Sequence, residues 1–301
     1  MPRHLLPALL AGMLAGGMFL LIIFTKLHPI FSFSASLPLF FIGLRQGHRD
    51  AFTAVLTAFL LISIGGGPAP GIFFMLTIGL PAGFMVRQSL LHRDETQWFP
   101  IGLIVLSLAL YAASIMALIA WYFAYEPGGL EQVIASNIKE AFALMGEQYA
   151  AIGESLATSW PFLIFPVTWW LWGLMLYGYA WIAQKILVDR REMLRPGYGI
   201  EPFTMPRWML ALLAIGALAS LIGSPQMRFL GKSEILILLL PYFFLGIALL
   251  HRNVREWPNG RFFLFFVYFL AFSLFWPALL IAGIGLVYQI KNLSVHGKNI
   301  G

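Results

Sequence analysis

LLPALLAGMLAGGMFLLIIF, residues 5–24, is twenty residues without a charge. As a helix it rises about 30 Å at 1.5 Å per residue, the thickness of the hydrocarbon core of a bilayer. It is longer than the apolar stretch of a signal peptide, and Thr25-Lys26-Leu27-His28-Pro29 follows it instead of a small-residue cleavage site. The run therefore reads as a retained first membrane span. The rest of the chain repeats its character: of 301 residues 60% are hydrophobic and 11% charged. Ordinary soluble domains are about 25% charged, and disordered chains are poor in apolar residues, so both classes are excluded. There is no Cys, which removes disulfides, thiolate metal sites and Cys nucleophiles.

Apolar runs separated by charge or by Gly and Pro fall near 5–25, 30–44, 50–65, 69–87, 99–125, 160–185, 207–223, 234–251 and 262–290. The fold class expected is all-α: a polytopic integral membrane helix bundle of about nine spans plus one external amphipathic helix. Its parts are residues 1–125 (spans one to five), 126–159 (the external helix) and 160–301 (spans six to nine). The second run alternates Phe31-Ser32-Phe33-Ser34 with period two, but an open strand cannot face lipid, so it is read as helix. Gly65-Gly66-Gly67-Pro68-Ala69-Pro70-Gly71 is read as a non-helical connection. Gly79-Leu80-Pro81-Ala82-Gly83 reads as a kink in the fourth span. The last run is too long for a straight span and holds Pro277 in its middle; it is one tilted, kinked span or a broken pair, and is read as the single span.

With the N-terminus in the cytoplasm, 13 Lys and Arg fall on inside segments and 4 on outside ones. That bias orients a multi-pass protein of the bacterial inner membrane, and it explains the net charge of +6 without nucleic acid. Residues 126–159 carry Glu126, Glu131, Glu140, Glu147 and Glu154 against Lys139, with Leu130, Ile134, Ile138, Phe142 and Met145 on one helical face. This is the external helix, broken near Gly146 or Gly153, and it packs on the span ends or on a partner.

Chemistry-bearing motifs are scarce. No zincin, nucleophile-elbow or phosphate-loop pattern is present, no metal site or cofactor is implied, and the reading is of a protein that is not an enzyme. The apolar cores of the runs read as free of Asp, Glu, Lys, Arg and His, which weighs against carriers that work through buried carboxylates. Two features stand out. Ala8, Ala11, Gly12, Ala15 and Gly16 form a small-residue face on the first span, suited to close helix packing inside the chain or to docking a partner subunit. Trp169, Trp170 and Trp172 lie near the middle of the sixth span, as packing or as a stacking wall for a planar ligand.

Leu37-Pro38-Leu39, Gly43-Leu44-Arg45-Gln46-Gly47, Gly79-Leu80-Pro81-Ala82 and the closing Gly283-Ile284-Gly285-Leu286 resemble the YybS-like bacterial membrane proteins, the domain of unknown function 2232. In that family an acidic residue and an Arg often follow the last glycine–leucine step; here Val287, Tyr288, Gln289 and Lys291 follow. The family's N-terminal half is similar to the S subunits of energy-coupling-factor vitamin transporters. The resemblance implies a ligand pocket near Lys26 and His28, joined by the Trp cluster, and a docking role for the small-residue face. Two functions stand as expectations: small-molecule binding or uptake by an S-subunit-like core, or a membrane scaffold that binds other proteins through the external helix and the small-residue faces. The lipid bilayer is the one partner common to both.

Overall fold

A computed structural model describes residues 5–25, 29–92, 98–195 and 202–298. Fourteen α-helices account for most of them: α1 (Leu5–Thr25), α2 (Ser36–Gln46), α3 (His48–Gly66), α4 (Pro68–Phe74), α5 (Leu80–Ser89), α6 (Ile101–Tyr122), α7 (Gly129–Leu144), α8 (Ala150–Ser159), α9 (Pro161–Asp189), α10 (Trp208–Ile222), α11 (Pro225–Leu238), α12 (Leu240–Val254), α13 (Gly260–Ser273) and α14 (Phe275–Lys298). Among the described residues the only extended pairing is an isolated bridge from His92 to Trp98. The all-helical membrane class is therefore as expected.

Among the described residues six helical segments are long and apolar enough to cross a bilayer: Leu5–Thr25, His48–Gly66, Pro68–Ser89, Ile101–Tyr125, Pro161–Asp189 and Pro225–Val254. Three runs of the expected nine behave otherwise. The second is a 3-10 turn over Pro29–Ala35 followed by the 11-residue α2, helical as anticipated but short. The seventh is the 15-residue α10. The ninth is a bent pair: α13 and α14 meet at 118°, with Leu274 extended between them. Pro277 explains the break, since its ring clashes with the carbonyl four residues back at Ser273, where α13 stops.

The eighth span is longer than its apolar run. It starts at Pro225, capped by the Ser224 hydroxyl, which accepts from the Met227 N–H, and so takes in Arg228 and Lys232 ahead of the run, which itself opens on Glu234. The apolar cores were expected free of ionisable residues; these three stand in the same span, ahead of the apolar stretch that begins at Ile235. The glycine-proline stretch is corrected. Only Gly67 leaves the helix, at φ 96°, while α3 runs to Gly66 and α4 starts on Pro68. Pro is favourable at that first helical position because the missing N–H has no partner there anyway.

The chain divides into two compact units, one of Met1–Ile104 with Trp172–Gly199, the other of Val105–Leu171 with Ile200–Gly301. In the first, α1 packs along α3. A Cβ on Gly12 would stand 2.5 Å from the Ala54 carbonyl oxygen, so only glycine permits this approach. The α4–α5 segment contains a π-helical turn, Met75–Gly79. It absorbs Pro81 as a local widening rather than a sharp kink. Arg195, buried, donates to the Ser89 carbonyl at 3.2 Å and closes the end of α5.

In the second unit, α10 and α11 cross at Gly216 and Gly231. Next, α12 and α14 cross so closely that a Cβ on Gly246 would strike the Ile281 carbonyl oxygen and one on Gly285 the Tyr242 carbonyl oxygen. Without a hydrophobic driving force in lipid, such close van der Waals contact is what holds helices together. The amphipathic segment over 126–159 breaks at Gly146, one of the two glycines where a break was expected, and there α7 and α8 fold back on each other as a hairpin; the φ of 126° suits glycine alone. Lys139 and Glu154 join the arms at 2.8 Å, and Gly153 lets the Phe142 side chain lie against α8.

Candidate functional site

The residues singled out in the sequence are placed as follows. Lys26 and His28 lie outside the described residues. Ala8, Gly12, Ala15 and Gly16 are buried, Ala11 is half-buried, and Gly12 and Gly16 face Ala54, Thr57, Ala58 and Leu61 of α3. That face is occupied by a helix of the same chain.

Trp170 and Trp172 are buried with their indole N–H groups hydrogen-bonded to backbone carbonyls. Trp172 is 2% exposed and its indole N–H donates to the Thr77 carbonyl at 2.6 Å. Thr77 lies four residues before Pro81, which has no N–H to offer it. Trp170, also 2% exposed, donates to the Leu236 carbonyl at 2.7 Å, which accepts from the Leu239 N–H at 3.3 Å as well, at the end of α11. Its ring packs on Phe243 and Phe275 at 5.3 and 5.2 Å. Ser233 repeats the pattern of Trp172: its hydroxyl donates to the Phe162 carbonyl at 3.2 Å, and Phe162 lies four residues before Pro166. In lipid such a carbonyl finds no water, so Pro81 and Pro166 are each answered by a donor from another helix. Trp169 is buried with them.

The sequence reading passed over the cavity that the fold does build. At the turn from α12 to α13, Trp257 donates its backbone N–H to Val254 at 3.1 Å, and Gly260 donates its own to Trp257 at 3.1 Å. A Cβ at Gly260 would strike the Val254 carbonyl oxygen, so the turn closes only on glycine. Closure brings Arg252 and Arg255 on one arm to face Arg261 on the other, around an open cavity of about 1040 Å³. Trp257, Asn259, Phe262, Leu264, His251 and Tyr288 also line it. Arg252 lies over the Tyr288 ring at 5.6 Å, a cation–π contact that holds the guanidinium in place. His251 Nδ1 sits 3.0 Å from the Ile247 carbonyl oxygen, and Nε2 sits 3.2 Å from the Tyr268 hydroxyl. This geometry fits the tautomer with the proton on Nδ1, leaving Nε2 to accept from Tyr268. Among the described residues no carboxylate lines the cavity; Glu256 is exposed and outside it. The signal was present in the sequence as three arginines within ten residues about Trp257-Pro258-Asn259-Gly260, but they read there as orientation charges.

Elsewhere, Glu234 carries a carboxylate Oε1 that is sealed from solvent and accepts no hydrogen bond from a described residue. Among the described residues no group of three or more His, Asp or Glu could hold a metal ion.

No curated protein and no solved structure matches the chain. A family model described as predicted membrane protein, DUF2232, matches residues 17–287, nearly the whole chain with its membrane helices, and the chain belongs to that family.

Proposed function

We propose that this DUF2232 protein is a multi-pass protein of the bacterial inner membrane that binds a small anionic molecule without turning it over. The carrying observation is the convergence of Arg252, Arg255 and Arg261 on one cavity whose described lining holds no carboxylate. Three cations around a concave surface, Arg252 held by its stacking on Tyr288, suit a phosphate or carboxylate group, which guanidinium groups engage by paired hydrogen bonds. The absence of turnover is supported by the lining: its described residues include no Ser, Thr, Asp or Glu, and both ring nitrogens of His251 are engaged by Ile247 and Tyr268. An S-subunit-like pocket around the Trp cluster has less support, because Trp170 and Trp172 commit their indole N–H groups to backbone carbonyls. The cytoplasmic side is favoured for the cavity by its charge.

The test is thermal unfolding of the purified protein in mild detergent with rising inorganic phosphate. Ligand at 100 times its Kd stabilises a folded state by about 2.7 kcal/mol, so a saturating rise in Tm is expected. Replacing all three arginines with Gln should abolish it. An equal rise in wild type and variant refutes the reading.

A second reading, assembly of other proteins, is favoured by the α7–α8 hairpin. Leu144 and Met145 at its turn are 83% and 62% exposed beside an acidic surface. Deleting residues 129–159 should then release a co-purifying membrane protein, and retention of that protein counts against this reading.

A further inference from the structure

The exposed surface next to the basic cavity is as informative as the cavity. Helix α13 begins at Gly260, inside the turn, and its Phe262 side chain lines the cavity while remaining 74% exposed. From there Phe265, Phe266, Phe269 and Phe272 continue at steps of three, one, three and three, all exposed, with Phe272 at 75%. At 100° per residue these five rings fall within about one third of the helix circumference and form a single stripe. The stripe spans ten residues, about 15 Å at 1.5 Å per residue. That is half of the roughly 30 Å hydrocarbon core, the depth of one leaflet. Beyond Phe272 the helix stops and the chain turns through 118° into α14. A cationic cavity thus opens at one end of an aromatic track as long as one leaflet is deep.

Resting on the small-anion reading above, we infer that the ligand of this site is an anionic lipid: a phosphate-bearing headgroup enters among Arg252, Arg255 and Arg261, and an acyl or isoprenoid chain lies along the α13 phenylalanine stripe. Charge complementarity selects the headgroup. Clustered arginines at a bilayer surface each contribute about 1 kcal/mol to binding of anionic lipid, so three give a preference of well over tenfold for an anionic over a zwitterionic headgroup. The stripe supplies the apolar part without specificity for its length. A free phosphate shares the headgroup chemistry and makes no use of the stripe.

The test separates these sources. The full-length protein, freed of lipid, is titrated with phosphatidylglycerol, with phosphatidylcholine and with inorganic phosphate, and occupancy is read by native mass spectrometry and by the phosphate-induced rise in Tm. Wild type is expected to bind phosphatidylglycerol at least about tenfold more tightly than phosphatidylcholine. Arg252→Gln/Arg255→Gln/Arg261→Gln should lose that preference and the phosphate response together. Phe265→Ala/Phe269→Ala should weaken phosphatidylglycerol several-fold and leave the phosphate response intact. Arg261→Gln alone, monodisperse on gel filtration, should show an intermediate preference, so a misfolded triple variant does not decide the matter. Equal binding of the two lipids by wild type, or an unchanged phosphatidylglycerol affinity in the phenylalanine variant, overturns the lipid inference while a surviving Arg-dependent phosphate response keeps the small-anion reading. Phosphate and lipid responses that both ignore the arginines overturn the two together.

Discussion

Changing Trp172 to Phe removes one N–H and leaves an aromatic ring in place. The lost bond is short, 2.6 Å to the Thr77 carbonyl, and Pro81, at the position whose N–H an α-helix would aim at that carbonyl, has none to give. A buried acceptor stripped of its donor costs about 1–3 kcal/mol, more than the ~0.6 kcal/mol average for interhelical hydrogen bonds in membranes, where the freed group commonly finds another partner. The Thr77 carbonyl is expected near the upper figure, since the π-turn of Met75–Gly79 has already shifted the neighbouring backbone bonds. The diagnostic experiment is a double-mutant cycle. Pro81→Ala restores an N–H four residues after Thr77, so Trp172→Phe should cost less in that background. The smaller ring costs the same in both and cancels. Equilibrium unfolding by SDS titration in mixed micelles should give a coupling of at least about 1 kcal/mol, with the Pro81→Ala background the more tolerant. A Trp172→Phe cost equal in the two backgrounds, within about 0.5 kcal/mol, refutes the claim that the indole answers the proline.

The same logic predicts that Ser233→Ala destabilises by about 1 kcal/mol or more and that Pro166→Ala relieves most of it, read by the same titration. Gln289 accepts from the Met205 N–H at 3.0 Å and donates to its carbonyl at 2.7 Å, both groups buried, so Gln289→Leu should cost about 2–4 kcal/mol and expose residues 202–206 to proteolysis. Gly246→Val places side-chain carbon against the Ile281 carbonyl; the folded fraction on gel filtration should fall sharply, while Gly283→Val, with open space around it, should leave the fraction unchanged. Lys139→Ala breaks the exposed ion pair with Glu154 and should shift stability by no more than about 0.5 kcal/mol.

Some of this was legible in residue order. Trp170 and Trp172 stand out in the sequence as misplaced for a membrane interface, and the oddity was real, but its meaning lay in the carbonyls of Thr77, ahead of Pro81, and of Leu236, at the end of α11, both far away in the chain. The small-residue face of α1 was legible as a packing surface; that α3 fills it was not. Arg252, Arg255 and Arg261 were visible only as positive charges, because the closure of a turn, not its composition, makes three neighbours into a cavity.

Transfer of a side chain from water to hydrocarbon is nearly additive along a chain. Hydropathy alone therefore determined that these helices belong in lipid, where the apolar stretches lie, and that prolines interrupt several of them. Which helix ends short, where a run bends through 118°, and which distant side chain donates to each orphaned carbonyl are pairwise matters. Only tertiary structure decided them, because a backbone group in lipid must be satisfied by whatever the fold brings within 3 Å, and no local pattern records that meeting.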